Sequence, residues 1–133
     1  MSDPQPSSTV PTDGQPGDGT GGADEQRAVR DIADVAAVEV VTSAAVHLMS
    51  AAAVKCGLAE DAEEAGHLDL GEARVLITAL AGLVTAAAPE IGNQHARALR
   101  DGLRTLQLAF QEASPFPDAP GAGPGEKWTG PVR

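Results

Sequence analysis

Three stretches of the chain carry apolar residues at helical period, and each brings its own boundaries. The first runs from Asp34 or Val35 to Cys56, with Asp34 placed as an N-cap and Gly57 just past the last turn. At about 100° per residue, Glu39, Ser43, His47 and Ser50 fall on one narrow stripe, and the rest is Val, Ala, Leu and Met. Such a helix is expected to be covered on most of its sides.

The second pattern opens on Asp69, with Glu72 three positions on, the spacing of a capping box. It is predicted to stop at Ala88, because Pro89 lacks an N–H and restricts the residue before it. Leu70, Ala73, Leu76, Ile77, Leu80, Leu83, Val84 and Ala87 share a broad apolar face, and Gly71, Val75, Ala79, Gly82 and Ala86 form a stripe of small residues behind it. That stripe admits close approach of the first helix or of a second protomer, or it is the plain surface of an alanine-rich chain.

The third begins near Asn93 or Gln94 and reaches Ala113, ahead of Ser114 and Pro115. Its seam is Ala96, Leu99, Leu103, Leu106, Phe110 and Ala113, and its opposite face carries Arg97, Arg100 and Arg104 with Gln107 and Gln111. The fold class that follows is all-α: a three-helix bundle, or a helical hairpin plus a third helix. A domain of roughly eighty residues buries only a modest share of its surface, so pairing with a second copy is expected.

Between and around these helices the composition changes. Residues 1–24 hold Pro, Gly, Ser, Thr and Asp with almost nothing apolar and are predicted to be a disordered tail. The domain then occupies 25–113, in which Glu25 to Ala33 either extends the first helix or forms a frayed turn, and Leu58 to Leu68 is an acidic loop containing Gly66. Residues 114–133 interleave Pro115, Pro117, Pro120, Pro124 and Pro131 with glycines and are predicted to be a second disordered tail. That tail holds the only Trp, in Gly125-Glu-Lys-Trp128-Thr-Gly, which suggests a short segment that docks into a groove, its own or a partner's.

Charge and chemistry narrow the function. A formal net charge of −10 argues against general affinity for nucleic acid or an anionic membrane. The most apolar window, Val35 to Val54, is interrupted by Glu39 and His47, so no membrane span is expected. A single cysteine, Cys56, and the absence of a charged-then-apolar leader point to the cytoplasm. His47, His67 and His95 lack ligand spacing, Cys56 sits at a helix end that disfavours a thiolate, and the glycine-rich runs neither follow a strand nor open a helix. No catalytic residue, cofactor or metal is therefore expected. A remote enzymatic alternative assembles Glu39, His47 and Arg74 across a dimer.

Interaction is left as the function class. Arg97, Arg100 and Arg104 form the one concentrated basic feature, suited to an acidic protein surface or to phosphates, unless Glu60, Glu63, Glu64, Asp101 or Glu112 pair with them. With Lys127 and Trp128 they make the candidate partner-binding set, the partner being a protein or a ribosomal component. The alternative is a purely structural dimerisation module with linker tails.

A resemblance adds to this reading. Arg30-Asp-Ile-Ala-Asp-Val, Ala36-Ala-Val-Glu-Val-Val, Leu48-Met-Ser-Ala-Ala-Ala, Glu72-Ala-Arg-Val-Leu-Ile-Thr-Ala-Leu-Ala-Gly-Leu-Val-Thr, Leu99-Arg-Asp-Gly-Leu-Arg-Thr-Leu-Gln-Leu-Ala-Phe and Pro124-Gly-Glu-Lys-Trp-Thr-Gly-Pro cover most of the chain beyond the first tail. In these stretches the chain resembles the actinobacterial branch of a small helical bacterial family catalogued as a domain of unknown function, number eighteen forty-four. The resemblance implies a short helical protein with no assigned reaction, cofactor or binding residue. It also implies a lean towards translation, since similar members are often encoded near genes for a translation initiation factor and ribosomal proteins.

Overall fold

The computed structural model describes residues 35–58 and 67–133. Helices α1 (Ala37–Lys55), α2 (Leu70–Ile91), α3 (Asn93–Ala113) and α4 (Glu126–Thr129) follow one another, with no strand among the described residues. Val38–Arg133 forms one unit by its internal packing. The first tail, the Glu25–Ala33 segment and most of the acidic loop lie outside the described residues.

α2 and α3 make the main helix pair. Asp69 caps α2 as its spacing predicts, its carboxylate accepting the Glu72 N–H at 3.1 Å. The Asp69 N–H donates to the Lys55 carbonyl at 2.8 Å, so the cap also ties α2 to the end of α1. Ala73, Ile77, Leu80, Ala81 and Val84 of α2 pack with Leu99, Leu103, Leu106 and Phe110 of α3 in one core. Ile77 and Leu80 are the largest side chains fully withdrawn from water. Each such burial contributes about 2 kcal/mol.

Pro89 does not end α2 as its sequence position suggests. The helix runs on to Ile91 and stops at Gly92, whose φ of 90° and ψ of 154° turn the chain directly into α3. So near the C-terminus Pro89 removes only one hydrogen bond, to the Thr85 carbonyl. Burial of Ala88 and packing of Ile91 on the core offset that loss.

α1 departs from expectation in the other direction. It buries Ala45 and Ala52 fully, and Cys56 just beyond its end, and rests Met49 on Gly102 of α3. A Cβ at Gly102 would lie 2.7 Å from the Met49 sulfur, so a larger residue there would require the flexible end of Met49 to shift. Its outward side is uncovered: Val40 and Val46 are 44% and 51% exposed.

The second tail is corrected as well. Residues 114–133 are ordered against α2 and α3, not free. Their prolines do forbid a long helix, but Gly121, Gly125 and Gly130, at φ of 87°, 78° and 80°, let the segment reverse direction around the four-residue α4. The Glu126 carboxylate is the template. It is buried and accepts the N–H groups of Gly121 and Gly123, each at 2.9 Å, and of Val132 at 3.0 Å. Arg74 fastens the segment to α2 by an ion pair with Asp118 at 2.8 Å, while its guanidinium lies 5.0 Å from the Phe110 ring centroid.

Candidate binding groove

One row along α3, at i, i+3, i+7 spacing, consists of Arg97, Arg100, Arg104, Gln107 and Gln111. By spacing all five face outward, and for Gln107 that is incorrect, while Gln111 stays exposed. Gln107 is buried and donates to the Pro124 carbonyl at 3.0 Å and to Thr129 Oγ1 at 3.2 Å. Gln111 donates to the Val132 carbonyl at 2.6 Å. The C-terminal segment covers this half of the row because amide donors can satisfy the carbonyls of a backbone that makes no ladder of its own.

The arginine half stays open. Arg97, Arg100 and Arg104 are all exposed, and among the described residues only Arg104 finds a partner, donating to the main-chain oxygen of Arg133. Neither Asp101 nor Glu112 forms an ion pair with them among the described residues, and Glu60, Glu63 and Glu64 lie outside those residues.

Trp128 comes into the same place from α4. Its six-membered ring lies over Gly82, 3.4 Å from where a Cβ would stand, so the small-residue stripe of α2 serves in part as a seat for the indole. Val75, Ala79 and Ala86 of that stripe stay exposed. Lys127 Nζ sits 4.4 Å from the Trp128 ring centroid. Between α2, α3 and this segment lies a groove of about 390 Å³, floored by Val84, Ala88 and Leu103 and edged by Arg100, Arg104 and Trp128. Three of the five predicted partner-binding residues thus line one cavity. Lys127 stacks beside it, and Arg97 lies one turn further along α3.

Elsewhere the candidate chemistry is otherwise occupied. Arg74, one member of the remote enzymatic trio, is held by Asp118 and Phe110. Glu39 and His47 are exposed on α1. Burial pushes the Cys56 thiol above its ordinary range, which disfavours a nucleophilic thiolate. Among the described residues no three His, Cys, Asp or Glu side chains are grouped to hold a metal ion.

Gln107, Gln111 and Glu126 were missed as site-forming residues. The glutamines continue the arginine row at the same spacing, and that continuity was the available signal. Glu126 gave none, because its role depends on the reversals at Gly121, Gly125 and Gly130 that bring Val132 back to its carboxylate.

A family model described as a domain of unknown function matches residues 37–112, from the first turn of α1 to the last turn of α3. No curated protein and no solved structure matches the chain.

Proposed function

We propose, from the premise that the chain belongs to the DUF1844 family, a domain of unknown function, that it is a non-enzymatic interaction module of the cytoplasm. It self-associates through α1 and offers the Arg97, Arg100, Arg104 edge with Trp128 to a macromolecular partner. The observation that carries this reading is the mismatch between α1's composition and its packing. A helix apolar nearly all round leaves Val40 and Val46 facing water, a cost that a second copy would remove.

A bilayer is the competing cover, since α1 and α2 are long and apolar enough to cross one by length and composition alone. Against it stand the net charge of −10 and an outward α1 side on which Glu39, Ser43, His47 and Ser50 interrupt alanine and valine, with no aromatic residue. The engagement of Arg74 and the burial of Cys56 support a role other than catalysis.

Light scattering of the purified full chain tests the first half: a dimer is expected, and Val40→Glu should convert it to monomer while leaving its helical circular dichroism intact. A monomeric parent chain, or one that floats with neutral vesicles, would overturn self-association. Affinity purification from cells tests the second half, with components of the translation machinery the expected partners. Charge reversal of Arg97, Arg100 and Arg104 should release the partner and preserve the dimer. Recovery of the bait alone at low salt counts against a partner.

A further inference from the structure

Resting on the partner-binding half of that reading, we infer that the groove takes an acidic peptide in extended conformation, lying end to end with the chain's own C-terminal segment along the α3 row. The occupied half of the row shows what α3 does with a non-helical backbone. Gln107, Gln111 and Arg104 donate to the main-chain oxygens of Pro124, Val132 and Arg133. Arg104, seven positions before Gln111 on α3, donates to the residue that follows Gln111's partner, so the end of the segment sits within reach of the arginine half of the row, on the side of the N-terminus of α3. Arg100 and Arg97 continue the same row in that direction, and neither donates to a described residue.

The open half has the parts such a guest needs. Guanidinium groups donate in a planar fork that matches carboxylates, and they accept nothing, so an acceptor-rich guest is selected. Below them, Val84, Ala88 and Leu103 make an apolar floor for one anchoring side chain, and the groove volume of about 390 Å³ is sufficient for it. An acidic protein segment fits better than nucleic acid. The chain carries −10 overall, and the groove offers a single aromatic ring, packed against Gly82 and beside Lys127, where a run of bases needs several to stack on.

The test is fluorescence anisotropy of the full chain with a labelled glutamate-rich peptide about ten residues long, the length of an extended docking motif, carrying a central Leu-Phe pair. Its lysine counterpart and an oligoadenylate serve as comparison probes. Saturable binding of the glutamate peptide is expected, weakening as salt rises. Arg97→Glu with Arg100→Glu should weaken it at least roughly tenfold, the scale expected when charges facing a bound guest are reversed. Neither arginine makes a hydrogen bond to a described residue, so that double variant should fold, and its circular dichroism and Trp128 emission should match the parent's. Equal or tighter binding of oligoadenylate or of the lysine peptide would overturn the inference, as would full affinity in the double variant or no binding of the glutamate peptide. Light scattering on the same samples separates the claims: a dimer that ignores the glutamate peptide removes the inference and leaves self-association standing. A partner still captured from cells by the arginine edge would then show that the surface binds a different chemistry.

Discussion

Glu126 shows how much structure one buried side chain organises. Its carboxylate gathers three backbone N–H groups and lies 3.5 Å from the Gln111 amide, so Glu126→Ala would leave the part-buried Gly121 and Gly123 donors and the buried Val132 donor without their shared acceptor. Loss of about 3 kcal/mol is expected, at the upper end for hydrogen bonds to a charged group. A thermal melt would show a lowered midpoint, and Trp128 emission should shift to the red as the indole leaves Gly82. Cys56 provides a second residue-level expectation, set by pH. Its thiol holds the proton more tightly folded than unfolded, so it contributes most below the ordinary thiol range, and that contribution fades as pH rises through the raised folded value. Denaturant melts across the alkaline range should show stability declining there, and Cys56→Ala should flatten the decline.

The helices were the legible part of the sequence. Asp69 and Glu72 set the start of α2, and the Leu99, Leu103, Leu106, Phe110 seam identified the buried side of α3, because local spacing alone dictates both. Gln107 could not be read this way. It is polar and sits beside the arginine row, and only the return of residues 124–129 makes it a core residue. Pro89 misled for a related reason, since rules for proline are local and the packing of Ala88 and Ile91 that carries the helix past it is not. Pro89→Ala should restore a hydrogen bond to the Thr85 carbonyl and stabilise the chain by about 1 kcal/mol, readable from denaturant midpoints.

On the scale of the whole molecule, the matched family region ends at residue 112, and the ordered C-terminal segment is added onto its two main helices. Ending the chain at Ser114 should leave α1, α2 and α3 helical but uncover Ile77, Ala81 and Gln107, lowering the unfolding midpoint and removing the Trp128 wall of the groove. Circular dichroism of that shorter chain checks the claim, and an unchanged melt would mean the segment adds no stability. The turn at Gly92 has a different consequence. There the backbone takes a positive φ in open space, with no atom within 4 Å of where a Cβ would project. The barrier to any side chain at that point is therefore handedness and not crowding. A D-amino acid introduced by chemical synthesis would suit the junction better than any L residue that carries a side chain.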